Sequence, residues 1–171
     1  TVTVIDDDLP VITCTSVCRQ VDFPQSYYTV FDHEMDPYTA WDCSGLSSLT
    51  HNVQTTNSGI LPYAPNASTL MGAKIPVGTN TIVWTIVDNA TPATNSTSCS
   101  STITIYDNDP PAVTCRQNAS KPTNLGVCTY TVQGTEFDVT TTTIPAPSLT
   151  HNIQTTDNLA RPYAPSATTL A

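Results

Sequence analysis

The chain carries one 22-residue segment twice, and a duplication of that kind restricts the fold to repeated units that must each bury a core or share one. Leu49–Leu70 and Leu149–Leu170 align without a gap at an offset of 100, and 14 of the 22 positions are identical, among them Leu-Thr-His-Asn and Pro-Tyr-Ala-Pro. A second duplication sets the boundaries. Val2–Cys14 and Ile103–Cys115 share one layout: an alternating β-branched run, an acidic triplet, proline, then a short apolar run closed by cysteine. It reads as a joint, in which one strand ends a unit, proline interrupts the ladder, and the next strand opens the following unit.

The joints divide the 171 residues into three parts. Residues 1–8 read as the terminal strand of a preceding or neighbouring repeat, 9–108 as one unit, and 109–171 as a second unit lacking its last strands. Ala171 falls opposite Met71, so the counterpart of 72–101, with its Trp84 strand, is not part of the second copy. A unit short of those strands exposes apolar edges. It is expected either to be continued by more of the same chain or to be completed by a neighbouring molecule that donates strands.

Expected strands are Val11–Cys14, Tyr27–Phe31, Leu49–Thr55, Thr69–Lys74, Asn80–Val87 and Thr102–Tyr106, separated by Pro, Gly, Asn and Asp. Asn80–Val87 carries the clearest alternation, with Ile82, Trp84 and Ile86 on one face. Pro and β-branched residues interrupt every helical pattern, so the fold class is all-β.

Charge narrows the partners. Five Lys and Arg against 14 Asp and Glu leave a net charge of −9, and such a surface repels nucleic acid and anionic lipid, both of which need basic side chains. No apolar run approaches the roughly 20 residues that cross a bilayer, so membrane insertion is not expected. Six cysteines without zinc-finger spacing suit disulfides in an oxidising compartment, which places the chain outside the cell or on its surface.

Several stretches resemble a known family. Asp109-Pro110-Pro111-Ala112-Val113-Thr114-Cys115, Gly126-Val127-Cys128-Thr129-Tyr130-Thr131-Val132, Asp42-Cys43, Ile75–Asp88 with its Pro-Val-Gly-Thr, and Cys99–Ile105 are similar to the hyalin repeat (HYR). The resemblance implies tandem immunoglobulin-like or fibronectin-like β-sandwiches, the second incomplete here, of the kind found in extracellular and adhesive proteins. It also implies that Cys14 pairs with Cys99 and Cys18 with Cys43. Cys18 follows Cys14 sooner than the family pattern has it, and Thr143 stands opposite Cys43 in the second copy. Cys115 is left with three routes: a counterpart of Cys99 outside this sequence, Cys128, or another chain.

Four Asn-x-Ser/Thr sequons, at Asn66, Asn89, Asn95 and Asn118, lie in turn-like stretches where a glycan could stand clear of a sheet. Thr140, Thr141, Thr142 and Thr143 before Ile-Pro-Ala-Pro have the composition of an O-glycosylated segment and equally that of a Thr-rich strand. The joint residues Asp6, Asp7, Asp8, Asp107, Asn108 and Asp109 supply hard oxygen ligands of the kind calcium takes; a solvated acidic turn accounts for them as well and is preferred.

No catalytic set is visible. His51 and His151 recur in the same tetrapeptide, as a scaffold residue would, and His33-Glu34 lacks the second His of a zinc protease. Nucleophile, base and orienting group are not brought together by any motif. The expectation is therefore a non-enzymatic, cofactor-free glycoprotein, a structural subunit or segment of an extracellular fibre, appendage or matrix. Its partners would be copies of itself or further repeats of the same chain. The alternative is an adhesive or receptor ectodomain binding protein or glycan through loops.

Overall fold

The computed structural model describes residues 2–142 and 146–170. They contain no helix, and so none long and apolar enough to cross a membrane. The chain divides into two compact units, Thr1–Asp109 and Pro110–Ala171.

Unit 1 is built on β7 (Gly78–Asp88) and β8 (Ser96–Tyr106), an antiparallel pair in register from Gly78 opposite Ile105 to Val87 opposite Ser96. The pair is flanked by β5 (Leu46–His51), antiparallel to β7, and by β2 (Val17–Gln20), parallel to β8, which gives the sheet order β2-β8-β7-β5. Two small antiparallel ladders complete the unit: β1 (Val11–Thr13) with β4 (Thr39–Trp41), and β3 (Tyr27–Thr29) with β6 (Lys74–Pro76).

Alternation along the two long strands decides what is inside. Ile82, Trp84, Ile86 and Asp88 are buried on β7, and Ser101, Ile103 and Ile105 on β8. Ile82, Trp84, Ile103 and Ile105 meet Met35, Val53, Leu70 and Ile75 in one core, with Ile12, Cys14, Tyr28 and Leu49 packed against it. Asp88 is fully buried yet satisfied: its carboxylate accepts the Ala90 N–H (3.1 Å), the Asn95 N–H (2.7 Å) and Asn95 Nδ2 (3.0 Å). Burial by itself raises the Asp88 pKa, but these three donors outweigh it and hold the carboxyl below its usual range.

Several expected strands move. β8 begins six residues before Thr102, because Ser96–Ser101 also pairs with β7 and adds a Thr85–Ser98 hydroxyl contact of 2.8 Å. Thr69–Lys74 is a turn and not a strand: Gly72 has φ 76°, and the Leu70 N–H is taken by Asp36. The ladder there starts only at Lys74. β5 begins at Leu46 and ends at His51, short of the expected Thr55. β2 and β4 have too few apolar residues to stand out from the loops around them.

Residues 2–8, expected as a terminal strand, form none; Val2 and Val4 are 89% and 88% exposed, because no strand lies beside them to accept a ladder. Unit 2 contains β9 (Val113–Thr114) paired antiparallel with β10 (Thr140–Thr141).

Candidate functional site

What the chain positions most firmly is a covalent and polar scaffold. Cys14, just after β1, and Cys99, opposite Trp84 on β8, form a disulfide with Cα atoms 5.8 Å apart, the two residues standing 85 positions apart in sequence. It ties the first ladder to the central sheet beside the core. The second expected pair does not form. Cys18 lies exposed on β2, whereas Cys43 lies in the turn after β4, where its thiol donates to Asp6 Oδ2 at 3.2 Å. That bond pushes the Cys43 thiol up and the Asp6 carboxyl down. Cys115 and Cys128 are likewise exposed thiols and are not paired with each other.

Two carboxylates organise the loops of unit 1. Glu34 takes Arg19 through Nε (3.0 Å) and Nη2 (2.7 Å) on one oxygen, and the Tyr28 hydroxyl (2.5 Å) and Phe31 N–H (3.1 Å) on the other. Burial opposes its ionisation, and the donors together still leave its pKa lowered. Asp36 takes the Leu70 N–H and the Thr69 hydroxyl, both at 2.7 Å, and His33 Nδ1 at 2.7 Å. The Asp36 contact is the main reason the His33 pKa is raised. His33 and Glu34 are thus spent on loop closure.

Unit 2 repeats most of this arrangement, with Lys121 for Arg19 and with Thr135 where unit 1 has His33. Glu136 accepts Lys121, the Tyr130 hydroxyl (2.5 Å) and the Gln133 N–H (2.8 Å). Asp138 accepts the Leu170 N–H (3.0 Å) and the Thr169 hydroxyl (2.7 Å). Asn124 takes the Thr131 N–H at 2.9 Å, as Asp22 takes that of Thr29 at 2.8 Å. The ladder pairs Val113–Thr141 and Thr114–Thr140 stand 101 positions from Ile12–Ala40 and Thr13–Thr39. Spacing in the sequence pointed to Leu149–Leu170 and to the joints; the carboxylates escaped notice because they stand at an offset of 102, between joints offset by 101 and a repeat offset by 100, and because several partners change identity, Arg19 to Lys121 and Phe31 to Gln133.

His51 and His151 also share a role. Nε2 of His51 faces the carbonyls of Asn66 (2.8 Å) and Thr69 (3.2 Å), which requires the proton on that nitrogen, while its ring meets Trp84 edge-on at 5.1 Å. Nε2 of His151 faces the Thr169 carbonyl at 3.1 Å. Both tie down a loop.

The acidic joints are largely self-satisfied. Asp6 Oδ1 accepts the Asp8 N–H (3.3 Å) and Asp107 Oδ1 the Asp109 N–H (2.9 Å), the side-chain-to-backbone turns that Asp favours, while Asp109 Oδ1 accepts the Gln20 side chain through Nε2 (3.0 Å). Asp6 gathers with Asp42 and Cys43, not with Asp7 and Asp8, into a group whose ligand atoms lie within 4.8 Å. Two carboxylates and a thiol are a poor match for calcium, which takes six to eight oxygens.

Among the sequons, Asn66, Asn89 and Asn118 are exposed. Asn95 departs from the expected turn setting: it precedes β8 directly, is half-buried, and its Nδ2 serves buried Asp88. Thr140 and Thr141 lie in β10 and Thr142 is exposed beyond it, while Thr143 falls outside the described residues.

Comparison with known proteins gives a match to "Hyalin" of the sea urchin Strongylocentrotus purpuratus, 30% identical over 133 residues. The aligned part is 77% of this chain and 10% of that protein, so the chain spans about a tenth of the length of the relative it matches. No family model matches the chain, and no solved structure matches it. The similarity supports a hyalin-like relationship for an all-β, disulfide-bridged segment.

Proposed function

We propose that the chain is a structural segment of an extracellular glycoprotein fibre, appendage or matrix, built from tandem β-sandwich repeats and associating with copies of itself or with further repeats. The observation that carries this reading is the recurrence of the Asp36 and Glu34 frames as Asp138 and Glu136. Repetition has preserved loop closure and ladder register, which are scaffold properties. The role is mechanical and calls for no catalysis and no cofactor. The disulfide supports an oxidising, secreted setting. Glycans would stand on Asn66, Asn89 and Asn118, with Asn95 kept largely bare by its bond to Asp88.

An adhesive ectodomain is the second reading, favoured by Phe31, Tyr38 and Trp41, which are 79%, 81% and 58% exposed. The positions matching Phe31 and Trp41 in unit 2 are Gln133 and Thr142, so this aromatic surface is not repeated. Electron microscopy of the native material, with mass before and after deglycosylation and glycopeptide mapping, separates the two. Uniform filaments with excess glycan mass are expected. Discrete particles at the bare mass of 18.3 kDa would overturn the fibre reading in favour of the ectodomain.

A further inference from the structure

Within the duplicated block, six identical positions are exposed in both copies: Thr50, Asn52, Thr55, Thr56, Pro65 and Ala67, with their partners 100 positions on. Four of the six serve the fold of unit 1. Thr50 stands opposite Thr85 in the β5–β7 ladder, and Asn52 Oδ1 accepts the Val83 N–H (3.0 Å). Pro65 lies so near Gly72 that a Cβ there would come within 3.3 Å of its Cγ, and the Ala67 carbonyl accepts the His51 N–H (3.1 Å). Thr55 and Thr56 have no such role: their hydroxyls, like those of Thr155 and Thr156, bond to nothing among the described residues.

The pair sits on a loop that holds its own shape. Gln54 Oε1 accepts the Asn57 N–H (2.9 Å), and its Nε2 donates to the carbonyls of Asn57 (2.5 Å) and Ile60 (2.7 Å). The Ala64 N–H then closes the loop on the Gln54 carbonyl (3.2 Å). Unit 2 closes the same way. Gln154 Oε1 accepts the Asp157 N–H (3.0 Å), Nε2 donates to the carbonyls of Asp157 and Ala160, and the Ala164 N–H returns to the Gln154 carbonyl (3.1 Å). Compact self-closed loops of this kind frequently carry function. All five positions 57–61 differ from 157–161. The two threonines are therefore retained where the rest of the loop surface has diverged, and no contact within the protein explains why.

Two exposed hydroxyls hold a partner weakly, because each of their hydrogen bonds replaces one to water. Covalent modification needs only an accessible nucleophile. Phosphate would add about −2 at each site to a chain already at −9, whereas a neutral sugar adds no charge. We propose that the Thr55–Thr56 and Thr155–Thr156 pairs are O-glycosylation sites, so that each repeat carries a neutral O-linked sugar on this loop. Thr Oγ1 attacks the anomeric carbon of a nucleoside-diphosphate sugar and forms the new C–O bond. The bond from that carbon to the diphosphate breaks, the nucleoside diphosphate leaves with the electron pair, and the hydroxyl proton passes to a base of the transferase. The inference rests on the glycoprotein part of the proposed function and adds to it sites apart from the Asn sequons and from 140–143.

The test is glycopeptide mapping of the native material after enzymatic release of N-glycans, with non-tryptic peptides fragmented by electron transfer so that each threonine is resolved. Neutral sugar is expected on Thr55 or Thr56 and on Thr155 or Thr156, with Thr50 in its ladder bare. In sugar-free chain from a bacterial host, Thr55→Val with Thr56→Val should leave the urea midpoint where it was. Asn-linked sugar beside four bare threonines would overturn this inference and leave the glycoprotein reading standing, whereas a chain without any sugar would overturn both. Phosphate in place of sugar, or sugar spread evenly over Thr50, Thr55 and Thr56, would also overturn it. So would a clear fall in the urea midpoint of the double variant, since the hydroxyls would then serve the fold.

Discussion

At the scale of single residues, the buried ends of loops are held by carboxylates, and each is a test of the frame. The Asp36 side chain is 12% exposed and serves the Leu70 N–H and the Thr69 hydroxyl, beside a core in which Leu70 has no exposed surface. Asp36→Ala leaves that N–H without an acceptor, and chemical denaturation should register a loss of about 3 kcal/mol. Asp36→Asn, which keeps one acceptor oxygen, should lose about half as much. Glu136 provides a pH test. Its bonds from Lys121, Tyr130 and the Gln133 N–H hold its carboxyl down at about 2. The folded value lies below the unfolded one, so the contribution is complete above the ordinary glutamate range, declines as the pH falls, and is gone once the pH passes through about 2. Carboxyl NMR should place the Glu136 midpoint near 2 and return it toward the ordinary range in Lys121→Gln. A normal midpoint in the parent chain would remove the frame from unit 2. None of these roles was legible in the sequence, because a carboxylate that closes a loop 34 positions away looks like any other acidic residue in an acidic protein.

Elements were legible in proportion to how much of their pairing surface is apolar. β7 could be read over Asn80–Val87, all but its ends at Gly78, Thr79 and Asp88, since Ile82, Trp84 and Ile86 alternate without interruption and all three are buried. Only the apolar half of β8 was visible, because Ser96–Ser101 carries almost no hydrophobic signal and is a strand only by virtue of the register imposed by β7. β2 and β4 were missed for the same reason, and Thr69–Lys74 was misread because Asp36 holds the Thr69–Leu70 stretch in a turn. β7 therefore anchors the core of the unit as well as being its most legible strand. Trp84 is fully buried, stacks edge-on with His51 and faces Cys99 across the ladder. Trp84→Ala should cost about 3–5 kcal/mol by the cavity it leaves, and Trp84→Phe markedly less, in urea melts under oxidising conditions. Equal losses for the two variants would mean that the core is not organised around the ring.

On the scale of the whole chain, the two units share a frame but not a core, and their stabilities should differ accordingly. Unit 1 closes twelve buried residues into one cluster under a disulfide, whereas Ala164 is the only buried apolar residue among the described residues of unit 2. A unit of that size without a core is marginal. Trypsin makes the difference measurable because the chain has only five Lys and Arg. Lys121-Pro122 and Arg161-Pro162 resist cleavage at proline, which leaves Arg19 in β2, Lys74 in β6 and Arg116 just beyond β9. The first two can be cut only when ladders of unit 1 open, whereas Arg116 requires no such opening. Cleavage after Arg116 should therefore outpace cleavage after Arg19 and Lys74 by at least about tenfold, roughly 1.4 kcal/mol of difference in opening free energy, and should leave a resistant fragment 1–116. Early cuts at Lys74 would show instead that unit 1 is the weaker body and that its disulfide does not hold the central sheet closed.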